Sequence, residues 1–109
     1  MRFAEYQEQA HPFAEYKHDE YPFLGLAEET GEFLGIAAKI ARGDDLAARF
    51  GSQEAVVQKA LKEAGDVLWM LSECLTQMGL SLEDAAKLNI EKLTDRKARN
   101  VIKGSGDDR

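Results

Sequence analysis

The sequence predicts an all-α protein, a bundle of about four helices, and three observations carry that expectation. Apolar residues recur three and four positions apart through both long central stretches, which is the helical period. In the second stretch Val57, Leu61, Ala64, Leu68, Leu71, Leu75 and Met78 make one wide face. The two prolines, Pro12 and Pro22, precede the first strong helical pattern, so Phe23 to about Lys103 is free to be helical between glycine-marked turns. The 109 residues are 44% hydrophobic, which suits a single domain with one modest core and argues against a disordered chain.

From Met1 to about Tyr16, the helical spacing of Phe3, Tyr6, Ala10 and Phe13 predicts a first helix, ended or bent at Pro12. His11-Pro12 and Tyr21-Pro22 read as boundaries, because the residue before proline is pushed out of the α region. A second helix is expected from Pro22 or Phe23 to Ala41, closed by Gly43, with Phe23, Leu26, Ala27, Phe33, Leu34, Ala37, Ile40 and Ala41 on its apolar face. Gly31 and Gly35, one turn apart, leave a smooth strip on its back for close packing. Leu46 to Gly51 is a connector with room for one helical turn. Ser52 is a good N-cap for a third helix that continues to about Met78 and stops at Gly79. Ser81-Leu82-Glu83-Asp84 opens the fourth helix in the manner of a capping box. The domain is taken as residues 1–103, and residues 104–109 as a mobile tail.

Acids stand where these helices ought to be apolar. On the third helix Glu63 projects beside Val56, Val67, Met70 and Cys74, with Asp66 three residues on at the edge of the face. On the second, Glu29 borders the apolar face and Glu32 follows one turn later on the same flank. A carboxylate taken out of water without a partner costs several kcal/mol, and four of them meeting in one place cannot all stay ionised. A hard divalent cation with oxygen ligands, Mg²⁺ first and Mn²⁺ second, is the simplest resolution. Glu28 projects away from the shared flank, which suits a supporting role behind the metal ligands.

Charge distribution narrows the ligand. The net charge of −6 argues against a general nucleic-acid binder, whose footprint is a basic surface. Residues 1–86 hold 16 acids and 7 bases, whereas residues 87–109 hold 4 acids and 7 bases. A polyanion carrying its own cation would meet both signs. Asn89 is followed by Lys92, Arg96, Arg99 and Lys103 along one flank of the fourth helix, and Asn89, Lys92, Arg96 and Lys103 are the expected phosphate contacts. No run of 18 apolar residues and no signal-peptide core occurs, so a cytoplasmic protein with no membrane partner is expected. The single cysteine, Cys74, excludes an intramolecular disulfide or a cysteine-rich zinc site and is read as core packing. Glu15 and His18 have the Glu-x-x-His spacing of a di-iron bundle, but no second such motif is present.

Glu28-Glu29-x-x-Glu32 followed by Glu63-x-x-Asp66 resembles the paired acidic motif of the MazG-type, all-α nucleoside triphosphate pyrophosphohydrolases. Leu24-Gly25-Leu26-Ala27 before the first motif and Asp66-Val67-Leu68-Trp69 through the second agree with it, as does a basic run ending Gly104-Ser105-Gly106-Asp107-Asp108-Arg109. The resemblance spans most of the chain, from about Tyr6 onward. The 30 residues between Glu32 and Glu63 are at or beyond the long end of the family's spacing. It implies a MazG-like helical bundle completed by dimerisation or tetramerisation. It also implies hydrolysis of a nucleoside or deoxynucleoside triphosphate to the monophosphate and pyrophosphate, with Glu29, Glu32, Glu63 and Asp66 as catalytic metal ligands, and by analogy a role in cleansing the nucleotide pool. The alternatives are hydrolysis of phosphoribosyl-ATP or another nucleotide-like pyrophosphate, and a non-catalytic dimerisation or adaptor bundle. A homodimer or homotetramer also follows from the apolar surface spread around more than half of the third helix. For the base, Trp69 is expected in a subunit contact, and Phe13, Tyr16 and Phe23 are the alternative aromatic walls.

Overall fold

Capping decides where the helices begin and end. The computed structural model describes residues 1–109 and contains helices and turns but no strand. Helix α1 (Phe3–Ala10) runs into a 3-10 turn, His11–Phe13, where Pro12 interrupts the α-helical ladder. Helix α2 (Tyr21–Arg42) ends at Gly43, whose φ of 100° is the left-handed conformation of a helix terminus. Helix α3 (Leu46–Phe50) is a single turn, capped by the Asp45 carboxylate accepting from the Ala48 N–H. Helix α4 (Gln53–Gln77) starts at Ser52, whose hydroxyl accepts from the Ala55 N–H at 3.0 Å. Helix α5 (Leu82–Ala98) starts at Ser81, whose hydroxyl accepts from the Asp84 N–H. No helix is long and apolar enough to cross a membrane.

The central contact is α2 against α4, and it is closest at Gly25. A Cβ there would lie 2.6 Å from Met70 Sδ, so only glycine lets the two backbones approach. Gly31 and Gly35 were the expected close-packing strip. Instead, a Cβ at either would meet nothing within 4 Å in this chain. Helix α3 folds onto α4, while α1 touches both α4 and α5.

Burial falls on a different face of α4 from the one its periodicity predicts. Val56, Glu63, Met70, Ser72, Glu73 and Cys74 are buried, whereas Val57, Leu61, Leu71 and Met78 are exposed. Helices α1 and α2 pack against α4 on its acid-bearing side, and on the most apolar face only Ala64, Leu68 and Leu75 are half-buried. Leu24, Phe33, Leu34 and Ile40 of α2 and Leu88, Ile90 and Leu93 of α5 are exposed as well. The Cα radius of gyration is 17.0 Å, against the ~13 Å of a compact chain of this length.

Residues 104–109, expected as a mobile tail, fold back onto α5 in this structure. Asp107 accepts from Lys92 Nζ at 3.0 Å and from Arg96 at 2.9 Å, and Arg109 donates to the carbonyl of Val101. These pairs hold the Asp107 carboxyl below the usual range, Lys92 contributing most.

Candidate metal centre and adjoining cavity

The close approach at Gly25 and Met70 sets the register of the acids. Glu29 lies one turn after Gly25 on α2, and Asp66 lies one turn before Met70 on α4, so the contact brings these two carboxylates level. Glu63, one turn further along α4, completes a group of three. One carboxylate oxygen from each of Glu29, Glu63 and Asp66 lies within 4.8 Å of the others. Glu63 is buried at 8% exposure, Glu29 is half-buried and Asp66 is exposed, so the group opens to solvent on one side.

Negative charge is in surplus here. Burial first, and then the charges of Asp66, Glu28, Glu63 and Glu32, hold the Glu29 carboxyl above the usual carboxylate range. One cation answers them: Lys59, one turn before Glu63, places Nζ 2.6 Å from Glu63 Oε1. That hydrogen bond and the charge of Glu63 raise the Lys59 ammonium above its ordinary value. An all-oxygen set from two helices, with more negative charge than the chain neutralises, fits a hard divalent cation.

The other expected residues lie elsewhere. Glu32 is exposed one turn along α2 and is not part of the three-carboxylate group, although its charge is felt by both Glu29 and Lys59. Glu28 is exposed and acts on Glu29 through its charge alone. Expected phosphate contacts on the fourth helix would have to lie near the acids. In the chain α5 instead packs mainly on α1, so Asn89, Lys92, Arg96 and Lys103 do not converge on them. Lys92 and Arg96 are engaged by Asp107, Arg96 at 5% exposure, while Asn89 and Lys103 are exposed.

Beside the acids lies an aromatic cavity that the N-terminal arm helps to build. Tyr6, Gln9 and Phe13 from the arm face Asp66 and Trp69 of α4 across an open cavity of about 400 Å³. A second, of about 430 Å³, has Phe13, Tyr16, Tyr21 and Trp69 on its wall and reaches Glu29. Trp69, expected on the far side of α4 and in a subunit contact, thus lies beside the acids within its own chain. Its indole N–H is buried without an acceptor. Phe13 is 72% exposed, leaving its ring face open.

Two features escaped sequence reasoning. Lys59 precedes Glu63 by four residues, an ion-pair spacing that was there to be seen. Glu73 follows Asp66 by seven residues, nearly two full turns, and so shares the buried stripe with Glu63 and Met70; it is wholly buried. Its partners, His11 and Tyr16, lie about sixty positions away and have no local signal.

Residues 19–101 match the model of the MazG nucleotide pyrophosphohydrolase domain. A segment of 47 residues is 43% identical to the Gene 37 protein of Mycobacterium phage L5, covering 43% of this chain and 41% of that protein. The chain thus spans about two fifths of the length of this curated relative. No solved structure matches.

Proposed function

The chain belongs to the MazG nucleotide pyrophosphohydrolase family, and on that premise we propose that it hydrolyses a nucleoside or deoxynucleoside triphosphate, with Mg²⁺, to the monophosphate and pyrophosphate. The observation that carries this is the meeting of Glu29, Glu63 and Asp66 from two helices within 4.8 Å. These three, with Glu32 one turn away, are the proposed holders of Mg²⁺ or Mn²⁺. A bound ion of this kind offsets phosphate charge and acidifies water.

The protein groups divide the remaining work. One carboxylate of the group, ionised once a cation offsets the surplus negative charge, takes the proton of the attacking water. Glu28 tunes Glu29 from behind. Lys59 balances Glu63 before a cation binds and, once displaced by it, is the proposed partner of a phosphate oxygen. The base occupies the cavity between Phe13 and Trp69, stacking on the exposed ring and offering an acceptor to the buried indole N–H. Its volume falls in the ~300–1,000 Å³ range of small-molecule sites.

Assembly into a homodimer or homotetramer is part of the same proposal. Eleven of 109 residues are buried and the apolar faces of α2, α4 and α5 are uncovered, a pattern a second copy would complete. Asn89, Lys92, Arg96 and Lys103 remain the proposed phosphate contacts, Lys92 and Arg96 only when a phosphate displaces Asp107 from them. A cytoplasmic place and a role in nucleotide-pool cleansing are proposed by family analogy alone.

The test is incubation with Mg²⁺ and a panel of nucleoside and deoxynucleoside triphosphates and phosphoribosyl-ATP, assaying pyrophosphate against orthophosphate. Pyrophosphate release that EDTA abolishes is the expected result. Orthophosphate release, or no turnover across the panel, would overturn it.

A further inference from the structure

Residues 1–18 lie outside the matched family region, yet they supply the outer wall of the cavity beside Asp66. What fixes that wall is a single side chain. Glu73 is 0% exposed, and its carboxylate lies 3.1 and 3.3 Å from His11 Nδ1 through its two oxygens. It also accepts from the Tyr16 hydroxyl at 3.0 Å, and Gln77 Nε2 donates to that same hydroxyl at 2.8 Å. His11 and Tyr16 flank Phe13 on either side in sequence, so the two hydrogen-bond anchors bracket the exposed ring. Further along, Gln7 donates to Thr76 Oγ1 and to the Leu80 carbonyl and accepts from the Leu82 N–H, tying α1 to the end of α4.

A wholly buried carboxylate is a poor way to gain stability. Its desolvation offsets most of what its partners return, and apolar residues of similar volume often do as well or better. What directional hydrogen bonds add is geometry: they fix where the 3-10 turn sits on α4, which packing alone leaves loose. We infer that Glu73 is a positioning residue for substrate recognition, holding His11 and Tyr16 so that Phe13 and Gln9 face Trp69 across the base cavity. It touches no reacting atom, and Asp66 lies nearly two turns away along α4. The inference rests on the proposed nucleotide chemistry for its substrate and on the arm's own contacts for its geometry.

The experiment compares two substrates, the best nucleoside triphosphate of the panel and the corresponding abasic sugar triphosphate. Glu73→Ala should raise KM for the first by about ten-fold, the scale of one lost base-stacking contact, with little change in kcat. The preference for the base-bearing substrate should fall by the same factor. Glu73→Gln, which keeps an acceptor for Tyr16, should restore most of it, and Tyr16→Phe should give a partial loss. If Glu73→Ala folds poorly, Tyr16→Phe and His11→Gln carry the comparison. A fall in kcat that is equal for both substrates, or no change in preference, would overturn the inference.

Trp69, the chain's sole tryptophan, gives a readout free of turnover. A nucleoside monophosphate should quench its fluorescence in the unmodified protein and far less in Glu73→Ala. Quenching without hydrolysis would leave this inference standing and remove the proposed reaction. Hydrolysis without quenching, or quenching that Glu73→Ala leaves intact, would do the opposite.

Discussion

Lys59 Nζ rests 2.6 Å from Glu63 Oε1, so the buried carboxylate of the acid cluster already has a cation before any metal arrives. A divalent ion at Glu29, Glu63 and Asp66 competes with Lys59 for that oxygen. Lys59→Gln should therefore lower the Mg²⁺ concentration for half-maximal turnover by about three-fold, the scale of an exposed ion pair. A Mg²⁺ titration of initial rates reads it. An unchanged or higher requirement would mean that Lys59 serves the substrate instead.

Removing one negative charge from the cluster keeps its shape and deletes its grip. Glu63→Gln and Asp66→Asn should each reduce Mg²⁺-dependent turnover by more than about 100-fold, beyond the loss typical of groups behind the ligands. Glu28→Gln should lose no more than about ten-fold. Circular dichroism should show the same helix content in all three, since none of these carboxylates caps a helix.

The uncovered face of α4 predicts its own partner. Leu61 is 61% exposed in the single chain, in the middle of the most apolar stripe. Sedimentation equilibrium should show a dimer or tetramer at micromolar concentration, and Leu61→Glu should shift it toward monomer. A monomeric unmodified protein would remove the proposed assembly.

Asp107 makes the tail's attachment to α5 depend on pH. Lys92 and then Arg96 hold its carboxyl below the usual range, so the attachment is complete above the ordinary carboxylate pKa and is lost as pH falls through the depressed value. Backbone ¹⁵N relaxation should show residues 104–109 ordered at pH 7 and mobile in strong acid. Asp107→Asn should make them mobile at both. Rapid motion of the tail at neutral pH in the unmodified protein would contradict the fold-back.

Cys74 is 4% exposed, and burial raises its thiol above the usual value. The reactive species is the thiolate, so alkylation by iodoacetamide at pH 8 should be slow in the native protein and rise sharply on unfolding in urea. Fast labelling of the folded protein would show that α4 opens at this point.

Helix boundaries were legible because they rest on local chemistry. Ser52 and Ser81 bond back to N–H groups three residues on, and Gly43 and Gly79 turn left-handed, with φ of 100° and 71°, where a side chain would be strained. The expected third helix ends within a residue of α4 at either end. The burial of Glu63 was legible for a related reason: at 100° per residue it falls on the same side of α4 as Val56, Val67 and Met70.

The connections between distant parts of the chain were not. Periodicity says which residues share a face, but not which face finds a neighbour, and so the apolar stripe of Val57, Leu61 and Leu71 was taken for the core when the chain covers the Glu63 side. It likewise misplaced Trp69, the glycine contact and the fourth helix. The sequence by itself determined five acids on two helices, their flanks and their caps, since those follow from spacing along a rigid rod. Only the tertiary structure decided that Glu29 meets Asp66 across Gly25 and that Glu73 holds the arm. Such meetings depend on how closely two backbones approach, which no local pattern encodes.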